Sequence, residues 1–245
     1  MKKSRVGLLV LQMFALLPLP IAITNANSLA IDVGHSIAHQ GAVSAYGKPE
    51  FEFNAALANT ISDTLSVQGI KIFKIGFDGM MNDLHKRTQL ANAVNSVFFL
   101  SIHHDSVQAQ YFKTWQWHSQ TLQQTDHASG FSLFVSRKNP QLANSLNCAS
   151  ALGKALQQNG FHPSKHHAEA IEGESKAWAD QANGVFYYDN LVVLKTAAMP
   201  AVLLEAAVIA NRQDEEIISQ PEIRQRVATA VAKGLADCGA ISIKK

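Results

Sequence analysis

The side chains in this sequence best suited to bind a metal ion or move a proton stand where strands stop. His35 follows Leu29-Ala30-Ile31, a short apolar run that reads as the end of a buried strand, broken by Asp32-Val33-Gly34. Open α/β sheets hold their ligands just past the carboxyl ends of strands, and His35 has that position. Gly41, Gly47 and Pro49 mark a loop, and Glu50 stands at its far end, at the mouth of a helical pattern. One loop thus holds out an imidazole and a carboxylate, both ligand types for zinc. His103 ends a second apolar run, VFFLSI. Its neighbour His104 points to the opposite side of an extended chain, so only one of the two faces a common site, and periodicity does not choose between them. Glu205 ends a third run, AVLLE, and glutamate is rarely buried unless paired or used. Two imidazoles and one carboxylate leave a zinc position open for water, and a second carboxylate can take the water's proton. Each residue also has a plainer reading. His35 is then a loop histidine, one of ten in the chain, and Glu50 a helix-start carboxylate favoured by the dipole.

The elements that must position these groups can be read from hydrophobic spacing. Residues 54–68 put Leu57, Ala58, Ile61 and Leu65 on one helical face, with Gly69 as the stop. Residues 70–75 alternate as a strand, 83–95 begin a second helix, and 97–102 form a strand apolar on both faces. Residues 108–130 are polar, carry Tyr111, Phe112, Trp115 and Trp117, and show no clean period, so they read as an excursion from the core. A strand at 131–136 and a helix at 140–159 follow. Residues 162–183 are helix-compatible but lack a strong apolar stripe. Short strand candidates lie at 185–188 and 191–194, a buried strand at 201–205, a short helix at 213–218 and a closing helix at 221–238 that opens on Pro221. Strands alternating with helices predict an α/β class, a single domain with a twisted, mostly parallel sheet flanked by helices on both faces. There is no internal repeat and no low-complexity tract.

The 245 residues suffice for one domain with a substantial core. With 47% hydrophobic and 16% charged residues the chain is globular rather than disordered. Lys2, Lys3 and Arg5 precede an apolar run from Val6 to about Ile23, followed by Thr24, Asn25, Ala26, Asn27 and Ser28. That order is a secretory signal, cleaved after Ala26 or Ser28. The alternative is an uncleaved anchor, but Pro18, Pro20 and the immediate start of a strand favour removal, and the run is near the short limit for a span. The expected organisation is a signal peptide at 1–28, a catalytic domain at 29–240 and a tail at 241–245. The precursor has a formal charge of +2; without the first 28 residues, 18 basic face 19 acidic side chains, a charge of −1. No basic patch for nucleic acid is present in this balance. Cys148 and Cys238 are either a disulfide of an exported protein or two small buried thiols.

The segments IDVGHS, GKPEFEFNAALA, LHKRTQLAN, FLSIHHDS and MPAVLLEAAVIANRQDE resemble the successive motifs of the zinc-dependent N-acetylmuramoyl-L-alanine amidases, the cell-wall amidase type 3 family. Each motif alone is weak; five in order, spanning Leu29 to Cys238, are specific. The resemblance implies Zn2+ on His35, Glu50 and His103, chosen over His104 by the Ser101-Ile102-His103 frame, and Glu205 as catalytic glutamate. It implies a peptidoglycan hydrolase that cuts the amide between N-acetylmuramic acid and the L-alanine of the stem peptide, exported to the periplasm or the cell envelope and exterior. It admits a protein activator as a second partner. Departures fall at Val33, where the family usually has proline, at Ser36, where it has glycine, and at Asp105, where asparagine is common. Other readings are a zinc peptidase or amidase acting on another exported substrate, and a catalytically silent wall-binding regulator.

Further residues are expected to have lesser roles. His39, His127, His166 and His167 are expected to be solvated, with His39 close enough to meet a substrate. Arg87 is expected to order a carboxylate or a helix end. Trp115 and Trp117 form either a small core of their own or a platform for sugar rings. At least one of residues 108–130 and 162–183 is expected to cover or border the cleft, with Glu169, Glu172 and Glu174 candidates to reach the metal and block it; the alternative is that both segments are plain surface decorations.

Overall fold

In a computed structural model describing residues 28–242, the first strand, β1 (Leu29–Val33), is buried at every position. It runs two residues beyond the predicted break because Asp32 is neutralised inside the sheet by Arg87 and accepts a hydrogen bond from Ser101. The chain continues through α1 (Glu50–Val67), β2 (Ile72–Ile75), α2 (Leu84–Ala93) and β3 (Phe98–Asp105). Asp83 caps α2 by accepting from the amides of His85 and Lys86. An antiparallel hairpin follows, β4 (Lys113–Trp117) and β5 (Gln120–Gln124), then β6 (Ser132–Val135) and α3 (Leu142–Gln158). The rest is β7 (Trp178–Asp180), β8 (Val185–Tyr187), α4 (Val192–Thr196), β9 (Ala201–Val208), α5 (Arg212–Ile218) and α6 (Pro221–Asp237).

Seven strands form one sheet in the order β2-β1-β3-β9-β6-β8-β7. Pairing is parallel throughout β2-β1-β3-β9 and between β6 and β8, and antiparallel at β6/β9 and β7/β8. The twofold alternation of strands sorts their side chains between two helical layers. Leu29, Ile31, Phe98, Leu100, Val202 and Leu204 pack with α1, α3 and α6, while Ala30, Phe99 and Leu203 pack with α2 and α4. This is the single α/β domain with helices on both faces that the spacing predicts. Among the described residues, no helix is long and apolar enough to cross a membrane. The expected signal peptide lies outside the described residues apart from Ser28, as does the end of the tail.

Several local expectations give way. Residues 108–130 contain a β-hairpin separate from the main sheet, its polar strands exposed except at scattered positions. Residues 162–183 hold no long helix, only 3-10 turns at His166–Ala168 and Gln181–Asn183 and the strand β7. With no apolar stripe there was nothing to bury a helix against the sheet. The strand expected at 191–194 is the start of α4; a four-residue apolar run fits either state, and here Val193 and Leu194 fill the space over β9 and α2. Cys148 on α3 and Cys238 at the end of α6 are joined as a disulfide, with Cα atoms 5.0 Å apart.

Candidate active site

The period-two alternation places a polar set on one face of the central strands. Asp32 of β1, Ser101, His103 and Asp105 of β3 and Glu205 of β9 share the face that α2 and α4 cover further down, and His103 is the register partner of Glu205. Asp32, His103 and Asp105 sit toward the carboxyl ends of parallel strands, the usual location of a ligand crevice, and Glu205 stands beside His103 within β9, which continues to Val208 rather than ending at the glutamate. His104 turns to the other face, where it is buried against Phe53 and bonds Asn54 at 2.8 Å. Burial disfavours its charged form and pushes its pKa down to about 3.

His35, Glu50 and His103 come together. Glu50 opens α1 and is buried, with Oε2 2.9 Å from His35 Nε2 and Oε1 3.0 Å from His103 Nδ1. Burial alone would raise its pKa, but the two imidazoles outweigh it and hold the carboxyl well below its ordinary range. Asn54, one helical turn on, donates to Glu50 Oε1 at 2.9 Å and to the Gly34 carbonyl at 3.2 Å. The amide of Ala42 donates to Oε2 at 3.1 Å. The carboxylate is therefore fixed from several sides.

Two glycines make this approach feasible. A Cβ on Gly34 would lie 2.3 Å from the His103 ring, and one on Gly41 2.4 Å from Glu50 Oε2 and 2.7 Å from His35. Gly41 also has φ +78°, a conformation that costs glycine little. His35 itself has φ +66°, uncommon for a residue with a side chain. Arg87 holds it there. Its guanidinium is almost fully buried, pairs with Asp32 Oδ1 at 2.6 Å, and donates to the carbonyls of Val33 and His35, the latter at 2.5 Å.

Glu205 is half-buried overall, yet its Oε2 is wholly buried with no hydrogen-bond partner. Burial first, then the charges of Asp105 and Glu50, push its pKa well above the carboxylate range. A carboxyl left without a partner in such a place holds a proton readily and lacks only a donor or acceptor to exchange it with. Beside it opens a cavity of about 470 Å³, walled by His35, His103 and Glu205 on one side and by Leu191, Val192 and Val193 of the α4 region on the other. His39 is exposed and lines the same cavity.

The remaining expected residues lie elsewhere. His127 is exposed, while His166 and His167 are buried rather than solvated, drawn in by Asp105 and by the aromatic rings of Phe134 and Phe186. Glu169 bonds Tyr111 and His127, Glu174 bonds Gln108 and His167, and Glu172 is exposed. The two bonded glutamates are thus engaged by partners outside the His35, Glu50 and His103 group. Trp115 packs with Tyr46 and Trp117, and its Nε1 donates to the Ala45 carbonyl. Sequence reasoning did not assign Asn54 or Asp105 a role at the site. Asn54 had a usable signal, since it lies four residues after Glu50 on a helix and so on the same side.

A family model described as N-acetylmuramoyl-L-alanine amidase (Amidase_3) matches residues 29–237. The chain belongs to that family. It is 23% identical over 233 residues to the N-acetylmuramoyl-L-alanine amidase AmiA of Escherichia coli K12, covering 84% of this chain and 74% of that protein. The amidase fold is also that of the apo form of Ami1 from Mycobacterium abscessus, with a TM-score of 0.67, 22% identity, and 86% and 98% of the two chains covered. The CwlD amidase of Clostridioides difficile, solved in complex with the GerS lipoprotein, superposes with a TM-score of 0.59 at 14% identity, over 86% and 98% of the chains.

Proposed function

We propose that this chain carries out the amidase reaction with a zinc ion held by His35, Glu50 and His103 and with Glu205 as the proton carrier. The reaction is that of its family, hydrolysis of the amide between N-acetylmuramic acid and the L-alanine of the peptidoglycan stem peptide. The observation that carries the zinc reading is the donor set: two imidazoles and a buried carboxylate, with one ligand atom from each lying within 4.8 Å of the others. That set suits zinc and leaves room for a reactant. The bonds of Asn54 and the Ala42 amide to Glu50 supply the outer partners that orient a ligand. When bound, the ion polarises the scissile carbonyl and acidifies water.

The chain's own groups do the rest. Glu205 takes a proton from the attacking water through its unpartnered Oε2 and passes it to the amide nitrogen as the C–N bond breaks. Release of that proton to the departing amine regenerates the carboxylate for the next turnover. Arg87 is a positioning residue, since it fixes the backbone that carries His35. The Leu191–Val193 wall and His39 border the space for the muramoyl and peptide parts.

Metal analysis and mass spectrometry of digested, purified peptidoglycan test this reading together. The expected result is stoichiometric zinc and stem peptides released with free L-alanine amino termini. Cleavage inside the peptide would identify a zinc peptidase instead, and binding without release a silent wall protein. Replacing His35 or His103 by alanine should remove this zinc and the activity together; retention of zinc at the site in both variants would overturn the ligand assignment.

Export is part of the proposal, with a signal peptide at 1–28 and a catalytic domain at 29–240. The Cys148–Cys238 disulfide supports it, because such bonds persist in oxidising compartments. Amino-terminal sequencing of protein from the envelope fraction should begin near Asn27 or Leu29, and an intact Met1 would point to an anchor. A protein activator is the second proposed partner, supported by the lipoprotein complex of the CwlD amidase. Co-purification from envelope extracts, followed by turnover with and without the captured protein, tests it.

A further inference from the structure

Next to Glu205, at the end of β3, lies a second group of imidazoles and carboxylates that the amidase mechanism does not use. His166 Nε2 and His167 Nε2 both face one atom, Asp105 Oδ2, at 3.4 and 2.7 Å. The other oxygen of Asp105 is already engaged by the amide of Ser106 at 2.8 Å, which leaves Oδ2 for the two rings. Each ring is oriented from behind through Nδ1: His166 by the Ser164 hydroxyl at 2.8 Å, His167 by Glu174 Oε2 at 2.7 Å. The rings lie with centroids 3.8 Å apart and planes tilted by 39°, and Phe134 and Phe186 close an apolar wall against His167.

We propose that Asp105, His166 and His167 form a second divalent-cation site, with zinc the best-fitting ion. Three features point to a cation rather than a plain polar cluster. First, a protonated His167 bridging Asp105 and Glu174 would satisfy that ring but not its neighbour: His166 Nε2 is buried and has no hydrogen-bond partner. An ion between the three atoms takes a lone pair from each ring and neutralises Asp105. Second, the spacing is right. Tetrahedral zinc with bonds of about 2.0–2.1 Å puts its donor atoms about 3.4 Å apart. The ligand atoms here all lie within 4.8 Å of one another, as do those of the His35 cluster. Third, each ring is held through Nδ1, His167 by a carboxylate, the kind of outer partner that metal-bound histidines ordinarily have, and His166 by a hydroxyl that fixes its orientation. A carboxylate–imidazole donor set selects a first-row divalent ion over calcium or magnesium, which prefer oxygen alone.

Such an ion would pin residues 164–176 to the end of β3, beside the catalytic crevice. The bond it replaces is small, one imidazole–carboxylate contact; what it adds is a fixed attachment for a stretch with little regular structure of its own.

The test is metal stoichiometry, read independently of turnover. The full mature chain is stripped with a chelator, reloaded with zinc, desalted and measured by elemental analysis; cobalt(II) titration followed by visible absorption gives a second reading. The wild type should hold two equivalents. His35→Ala should hold one and His166→Ala one, with cobalt spectra that differ; the double variant should hold none. Asp105→Asn, which keeps the shape and a hydrogen-bonding oxygen, should also lose one equivalent, and it guards against a His166 variant that fails to fold, as circular dichroism would reveal. One equivalent in the wild type that disappears in His35→Ala and persists in Asp105→Asn would overturn the proposal and leave the amidase zinc intact. One equivalent that persists in His35→Ala and disappears in Asp105→Asn would support the second site while overturning the first.

Discussion

Strand β9 divides the sheet into two halves that supply chemistry in different ways. Toward β3, β1 and β2 every pair is parallel, so carboxyl ends collect at one edge and bring Asp32, His103, Asp105 and Glu205 there directly. At β6 and β8 the direction reverses, and the edge strand β7 turns back again. Ser132, at the start of β6, pairs with Glu205, and β8 runs parallel to β6, so these strands enter at the edge where the others leave. Their polar groups arrive on the segments before them, residues 108–131 and 162–184. A parallel half thus presents side chains from rigid strand ends, and a reversed half presents them from connections. His103 and Glu205 belong to the first kind, His166 and His167 to the second.

The largest effect expected from breaking this comparison is on Glu205. Glu205→Gln keeps the shape and lies outside the proposed ligands, so zinc at the His35 cluster should remain while turnover falls on the order of 10²–10⁴-fold. Zinc content and rate measured on the same preparation separate the outcomes. Loss of that zinc would make Glu205 a ligand and reopen the role of Glu50; full activity would leave it a structural carboxylate. The next largest effect is on stability. Arg87→Met strands Asp32, a carboxylate buried in β1, and removing one partner of a buried pair costs about 3–5 kcal/mol. Urea denaturation should show that loss, and a loss below about 1 kcal/mol would mean that Asp32 is already neutral in the wild type.

The same division explains what could be read from the sequence. In the parallel half, the continuous apolar runs around Phe98–Ile102 and Ala201–Leu204 are recognisable as buried strands, but β3 and β9 run on to Asp105 and Val208, so His103 and Glu205 lie inside their strands and not at the ends that the apolar runs suggest. The choice between His103 and His104 depended on the family's motif, because alternation says only that the two face apart. Asp32 was misplaced beyond the strand because its partner Arg87 lies 55 residues away and no local pattern announces the pair. In the reversed half, contacts decide the structure. His166 and His167 look like solvated polar residues, and only the approach of Asp105, Phe134 and Phe186 buries them. Residues 191–194 are a further case, since a short apolar run carries no period by which helix and strand can be distinguished.

The disulfide sharpens the comparison, because Cys148 belongs to the layer over the reversed half and Cys238 closes α6, which also packs on α1. Replacing both cysteines with alanine should cost about 2–5 kcal/mol, mainly by freeing a loop of 90 residues in the unfolded chain. The folded domain should keep its activity below its melting temperature. Calorimetry with and without reductant gives the same contrast in the wild type; a melting temperature indifferent to both would show the bond to be dispensable for stability.

The smallest effect is expected on the hairpin, which stands outside both halves of the sheet. Trp117 is 39% exposed, touching Tyr46, Trp115 and His118. Trp115 is better held, by the bond from its Nε1 to Ala45, by Tyr46, and by Arg212, whose guanidinium lies 4.7 Å from the ring centre. Truncating a partly exposed ring forfeits only the area it buries, so Trp117→Ala should lower stability by about 1 kcal/mol or less, and Trp115→Ala by more, since it also leaves a carbonyl without its donor. Paired denaturation curves check the order. The hairpin also lies on the edge where the catalytic strands end, and an exposed indole there can stack on a sugar. Pull-down on insoluble peptidoglycan separates the two roles. If the ring is only part of a small core, Trp117→Ala should bind as the wild type does; if it is a platform, binding should weaken at unchanged stability, and the hairpin would join the reversed half in supplying function from a connection.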